Sequence, residues 1–244
     1  MAIIQARGLS RDFGATHAVD TLDFEVEEGE IFGLVGPDGA GKSTTMRLLT
    51  GILEPSRGDA WVGGCHISKD SEKLKEMIAY MPQRFGLYED LTVIENINFY
   101  ADIYTATGST RAARIKQLLD FTRLLPFQRR LAGNLSGGMK QKLGLACALI
   151  HTPKILFLDE PTNGVDPVSR RDFWSILYEL LKEKVTIFFS TSYLDEAERC
   201  KRIGLIHKGR LLRCESPQEI KNEFMAQTLE EAFISAVNAY ENKQ

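Results

Sequence analysis

Gly36-Pro37-Asp38-Gly39-Ala40-Gly41-Lys42-Ser43-Thr44 places two glycines, Gly36 and Gly41, with four residues between them, directly ahead of Lys42 and Ser43. This is the spacing of a glycine-rich phosphate loop. Glycines let the backbone curl tightly enough for consecutive N–H groups to point inward at a polyphosphate. A helix that starts immediately afterwards turns the positive end of its dipole towards the same oxygens. The flanks suit that geometry. The apolar run Ile31-Phe32-Gly33-Leu34-Val35 reads as a buried strand, and Thr44-Thr45-Met46-Arg47-Leu48-Leu49 as the opening turns of a helix. Lys42 is then expected to reach the β- and γ-phosphates of a nucleoside triphosphate and Ser43 to ligate Mg²⁺, with Gly36, Pro37, Asp38, Gly39, Ala40, Gly41 and Thr44 forming the cradle.

Composition narrows the class. The 244 residues suit one large domain or two coupled lobes. A net charge of −3, from well-mixed acidic and basic residues, gives no electrostatic case for nucleic acid as a partner. Met1 to Arg7 lacks a signal-peptide pattern, and no apolar run approaches the roughly 20 residues needed to cross a bilayer. Cys65, Cys147, Cys200 and Cys214 are widely spaced without a Cys-x-x-Cys pair. That argues against zinc or a disulfide framework and for free thiols in a reducing cytosol.

Strands at Ile3–Ala6, Ala18–Val26 and Ala60–Val62 make the opening third β-rich. From about Leu91 the pattern turns helical, with Val93, Ile94, Ile97, Tyr100, Ala101 and Tyr104 on one face, a stripe read as core. A polar interruption at Thr107–Thr110 precedes a second helix carrying Ile115, Leu118 and Leu119. Ile155–Leu158 and Val185–Phe189 then read as central parallel strands covered on both faces. Ile203–His207 and Arg210–Cys214 read as a hairpin around Lys208-Gly209. From Pro217 the chain is helical, with Leu229, Phe233, Val237 and Tyr240 on one face. No internal repeat is visible. The predicted architecture is an α/β nucleotide-binding core with a mainly parallel sheet, an N-terminal antiparallel β part and a helical insertion.

Two further motifs carry chemistry. Ile155-Leu156-Phe157-Leu158-Asp159-Glu160 is an apolar strand that presents two carboxylates at its C-terminal end, where ligands sit in such sheets. Asp159 is suited to hold Mg²⁺ and Glu160 to accept a proton from an attacking water. Leu135-Ser136-Gly137-Gly138-Met139-Lys140-Gln141 opens a helix shortly before that strand. Ser136, Gly137 and Gly138 at a helix N-terminus make a second anion site, whose natural use is on a neighbouring molecule.

On these residues the chain resembles the nucleotide-binding subunits of ABC transporters along nearly its whole length. The resemblance implies a P-loop NTPase fold and a head-to-tail dimer. Each ATP is then clamped between one subunit's phosphate loop and the other's Ser136-Gly137-Gly138 signature. It implies that Phe13 stacks on adenine, that Gln83 senses Mg²⁺ and the attacking water, and that Asp166, in Gly164-Val165-Asp166-Pro167, lies in a loop crossing the dimer interface. Nothing resembling Asn-Lys-x-Asp is present, so ATP is expected rather than GTP. The implied organisation is one ATP-binding domain over 1–244. Its core spans 1–83 and 151–244, with a helical subdomain at about 84–150 and C-terminal helices from about 217.

One departure bears on turnover. Where the family usually carries a histidine, this chain reads Phe189-Ser190-Thr191-Ser192-Tyr193-Leu194-Asp195-Glu196, so Ser192 stands in its place. Serine cannot carry a positive charge and stabilises transition-state charge less well. Two readings stay open. In one, Glu160, Lys42 and Gln83 suffice for hydrolysis, with a water bridging from Ser192. In the other, a degenerate site holds ATP while a partner domain hydrolyses it. The same stretches are similar to the drug-resistance branch of export ATPases, especially the first half of bacterial tandem-ATPase efflux proteins. That branch implies permease subunits, a second ATPase subunit or domain, and a cytoplasmic position on the inner face of the membrane. The chain is short for a stand-alone member, so it reads as a minimal subunit or one domain of a longer polypeptide.

Overall fold

The structure is a computed structural model that describes residues 2–104 and 109–242, with side chains at 109 and 110 left aside. In chain order the elements are β1 (Ala2–Phe13), β2 (Thr16–Glu27), β3 (Ile31–Val35), α1 (Lys42–Leu49), β4 (Arg57–Val62) and β5 (Cys65–His66). There follow α2 (Ser71–Met77), β6 (Ile78–Met81), α3 (Val93–Ile103), α4 (Ser109–Phe121), α5 (Gly137–Ala148) and β7 (Ile155–Asp159). The chain continues through α6 (Pro167–Lys182), β8 (Thr186–Thr191), α7 (Leu194–Ala197), β9 (Arg202–His207), β10 (Arg210–Glu215), α8 (Pro217–Glu223) and α9 (Leu229–Glu241).

Two sheets result. One is antiparallel, in the order β2-β1-β4-β5; the other runs β10-β9-β3-β8-β7-β6. Within the second, β9, β3, β8, β7 and β6 pair in parallel, and β10 joins as an antiparallel edge strand. Strands β3, β7 and β8 are buried at every position, as their unbroken apolar runs require when both faces are covered. An aromatic cluster ties the sheets together: Phe24 of β2 stacks on Phe32 at 5.7 Å, Phe32 meets Phe188 at 5.3 Å, and Phe157 meets Phe188 at 5.5 Å. A second core lies on the other face, where Trp174, Phe173 and Leu177 of α6 and Leu143, Leu145 and Ala146 of α5 join Phe189 and Leu158.

Helices α3, α4 and α5 are inserted between β6 and β7. Thr92 caps α3 with a complete capping box to Glu95. Val93, Ile97 and Ala101 of the predicted stripe are buried, Ile94 and Tyr100 are partly buried against the core, and Tyr104 is instead 40% exposed. Of the predicted polar interruption, Thr107 and Gly108 lie outside the described residues, while Ser109 and Thr110 open α4.

The strands run longer than the sequence pattern indicated: β1 and β2 extend to the turn at Gly14, where Phe13 pairs with Thr16. Val185 precedes β8 rather than starting it. Strand β6 and helix α2 were not legible, because four apolar-rich residues and a seven-residue helix are too short to show a period. Strand β6 matters, because it closes the edge of the parallel sheet and aims Gln83 at the site.

Candidate active site

In an open parallel sheet, ligands sit beyond the C-terminal ends of the strands. Here those ends deliver the phosphate loop after β3, Gln83 after β6, Asp159 and Glu160 at β7, and Ser190 to Ser192 at β8. The phosphate loop, Gln83 and Glu160 border a cleft of about 570 Å³, a size that suits a nucleotide. Gly39, Gly41, Lys42, Ser43, Thr44, Gln83 and Glu160 line it, with Asp38 at its edge and Thr16, His17, Ala18 and Lys208 on the β2 and β9–β10 side.

The loop's shape depends on two glycines. Gly41 adopts φ 106°, and a Cβ there would lie 2.5 Å from the Ala18 carbonyl; a Cβ at Gly36 would lie 2.1 Å from the Ile206 carbonyl. Lys42 starts α1, and its Nζ donates to the carbonyls of Gly36 (2.7 Å) and Pro37 (2.9 Å). The same Nζ pairs with Glu160 Oε1 at 3.0 Å, with both side chains under one-tenth exposed. Glu160 Oε2 accepts from Gln83 Nε2 (3.1 Å) and Asn163 Nδ2 (3.3 Å). Its backbone, at φ 47°, occupies the left-handed region that a non-glycine residue enters at a cost of about 1–3 kcal/mol. The Glu160 N–H donates to Ser190, at the carbonyl (3.2 Å) and at Oγ (3.1 Å), which holds this conformation.

Asp159 Oδ1 accepts from Ser43 Oγ (3.0 Å) and Ser190 Oγ (2.7 Å), and Oδ2 from the Tyr80 hydroxyl (3.3 Å). Burial, aided by the Asp159 charge, pushes the Tyr80 phenol up to about 12. A hydroxyl and a carboxylate in contact beside a lysine are hard oxygen donors of the kind Mg²⁺ takes when substrate phosphates complete its shell. The residues present therefore fit that ion.

Behind the site, Glu196 of α7 is fully buried. It accepts from Thr162 Oγ1 (2.7 and 2.9 Å), Thr191 Oγ1 (2.9 Å) and Trp174 Nε1 (3.3 Å), and Arg170 Nε stands 3.6 Å away. One carboxylate thus joins the loop after Glu160, the end of β8 beside Ser192, and α6. Ser190, Tyr80, Asn163 and Glu196 were given no role by the sequence pattern. Only the β7–β8 register, with Asp159 opposite Ser190, reveals the first of them.

The remaining candidates stand apart from this cluster. Ser192 is exposed just past β8, and its side chain makes no hydrogen bond among the described residues. Phe13 is 47% exposed, with the Arg11 guanidinium 4.7 Å from its ring centroid. Ser136 caps α5, accepting from the Met139 N–H at 3.3 Å. Gly137 is open to solvent, but Gly138 is buried: a Cβ there would lie 2.4 Å from Ser169 Cβ, so this glycine also permits α5 to pack on α6 within the chain. Asp166 caps α6 through the N–H groups of Val168 (3.1 Å) and Ser169 (2.9 Å), and the Ser169 bonds hold its carboxyl below the usual carboxylate range.

Comparison with known proteins agrees with this geometry. The ABC transporter family model matches residues 19–163. The chain is 52% identical over 221 residues to the probable multidrug ABC transporter ATP-binding protein YbhF of Escherichia coli strain K12, covering 90% of this chain and 38% of that protein. It is 32% identical to the linearmycin resistance ATP-binding protein LnrL of Bacillus subtilis strain 168, covering 97% of this chain and 76% of that one. A solved ATP-binding subunit of an ABC transporter superposes with a TM-score of 0.85 at 29% identity, covering 96% of this chain and 99% of the other. The chain thus spans well under half the length of YbhF. Among the described residues no helix is long and apolar enough to cross a membrane.

Proposed function

This chain belongs to the ABC transporter family of ATPase domains, and on that premise we propose that it is the ATP-hydrolysing motor of a membrane exporter, working as half of a head-to-tail dimer. One observation carries the reading: Lys42, Ser43, Gln83 and Glu160 converge on one cleft, with Asp159 hydrogen-bonded to Ser43. Phosphate oxygens take over the Lys42 ammonium, and Glu160, released from that pair, accepts a proton from a water held with Gln83. That water attacks the γ-phosphorus, and the bond to the bridging oxygen breaks to leave ADP. Ser43 and Asp159 would hold Mg²⁺, which would supply charge neutralisation on the phosphate oxygens.

Phe13 supplies the adenine platform, with stacking worth about 1–3 kcal/mol by analogy with base–aromatic contacts. Ser136 and Gly137, exposed at the α5 N-terminus, face the partner's ATP together with the positive end of the helix dipole, and Asp166 lies at the same interface. The helical insertion meets a membrane permease at the inner face of the membrane. The domain boundaries follow: a core of 1–83 and 151–244 around a helical part at about 84–150. The names of YbhF and LnrL, which speak of multidrug transport and linearmycin resistance, favour a drug-like cargo.

Glu160→Gln tests this. ATP is expected to hold the variant as a dimer on size-exclusion chromatography while hydrolysis falls by at least about 10²-fold. A variant that hydrolyses ATP normally removes Glu160 from the role.

A further inference from the structure

The turn between β9 and β10 is fastened to the phosphate loop. The Gly209 N–H donates to the Ala40 carbonyl at 3.0 Å, and the Gly209 carbonyl accepts from the Asp20 N–H at 2.8 Å. Lys208, just before it, is held at φ 47°, and its side chain lines the nucleotide cleft beside Thr16 and His17. The other lysine lining the cleft, Lys42, has its partner within the site itself, in Glu160. The partner of Lys208 comes from elsewhere. Its Nζ lies 2.7 Å from Glu241 Oε1, on the last residue of α9. Helix α9 is anchored on the core by buried Leu229, Ala232 and Ala236, so Glu241 is carried on a seated element rather than a free tail.

We infer that Lys208 is a further nucleotide-binding residue, which exchanges Glu241 for the phosphate groups of the bound nucleoside triphosphate. The inference rests on the ATP-binding reading above. Lys208 and Glu241 are respectively 63% and 46% exposed, and such a pair is weak in water, so it yields readily to a polyphosphate carrying several charges. Glu241 competes with the nucleotide for one ammonium. By linkage, occupancy of the cleft loosens the end of α9 by the same factor that Glu241 weakens binding. The C-terminal helix thereby registers whether nucleotide is present, through a contact that involves neither hydrolysis nor the dimer interface.

The test is calorimetric titration of the full chain with ATP in EDTA, where turnover does not interfere. Lys208→Gln is expected to weaken binding about tenfold, the scale of one charge-assisted contact, and Lys208→Arg to stay within about threefold of wild type. Glu241→Gln is expected to tighten binding about threefold, and to change nothing in the Lys208→Gln background. Each variant melts within about 2 °C of wild type without ATP, as loss of one exposed pair predicts. If wild type binds ATP and Lys208→Gln binds within twofold of it, the inference is overturned while the ATP-binding reading stands. A Glu241→Gln effect of equal size in both backgrounds also overturns it. A wild-type chain that fails to bind ATP removes the ATP-binding reading, and this inference falls with it.

Discussion

Replacing Glu160 by glutamine should destabilise the chain in a way that ATP repairs. Lys42 Nζ and Glu160 Oε1 form a 3.0 Å pair with both side chains under one-tenth exposed. Removing one partner of a buried ion pair costs about 3–5 kcal/mol, because the other charge is left uncompensated. Lys42 keeps two carbonyl acceptors, at Gly36 and Pro37, which favours the lower end. The new amide can still accept from Gln83 through its oxygen but places an N–H₂ among the donors Lys42, Gln83 and Asn163. The left-handed backbone at residue 160 is equally costly for either side chain, so it drops out of the difference. A loss of about 3 kcal/mol lowers the melting temperature of a chain this size by about 6–12 °C. Polyphosphate returns negative charge to Lys42, so ATP should raise the variant's melting temperature several degrees more than that of wild type. Thermal melts with and without ATP, in EDTA, measure both quantities. Equal melting temperatures without ATP, or equal ATP-induced shifts, would refute the reasoning.

Gly138→Ala drives a methyl group to 2.4 Å from Ser169 Cβ, so it should cost about 1–3 kcal/mol by overpacking α5 on α6. Recovery on adding Ser169→Gly, seen in a denaturant titration, checks the cause. Ser192→His introduces a side chain able to carry positive charge beside the cleft, and should raise kcat for ATP about tenfold or more with little change in KM. Burial and, less strongly, the Arg114 charge hold the His151 imidazole below its usual range, against a raising hydrogen bond to the Ile78 carbonyl. The native protein therefore refuses a proton that the unfolded chain accepts near pH 6.5. Stability is fully present above that pH and falls as pH drops through it towards the lowered native value. Melts at about pH 7.5 and pH 5.5 should show a smaller acid-induced loss for His151→Gln than for wild type.

The sequence exposed what is written locally. Gly36 to Thr44 carries its own turn, helix start and cation, and the apolar runs of β3, β7 and β8 announce strands buried on both faces. What escaped lies between segments. Ser190 sits 2.7 Å from Asp159 only because β8 pairs with β7 in one register. Glu196 is a surface-like residue by type, yet it is fully buried because Thr162, Thr191, Trp174 and Arg170 converge on it from three elements. Gly138 reads as part of an anion site, and its proximity to Ser169 requires knowing how α5 meets α6. Lys208-Gly209 reads as a plain hairpin turn until the fold lays it against the phosphate loop.

Steady-state ATP hydrolysis by the purified chain, measured across a wide range of protein concentrations in Mg²⁺, tests the central proposal most directly. A head-to-tail dimer that completes each ATP site with the partner's Ser136 and Gly137 predicts a rate per chain that rises with concentration and vanishes in Glu160→Gln. A rate per chain independent of concentration would contradict the shared site, and no hydrolysis at any concentration would contradict the motor itself.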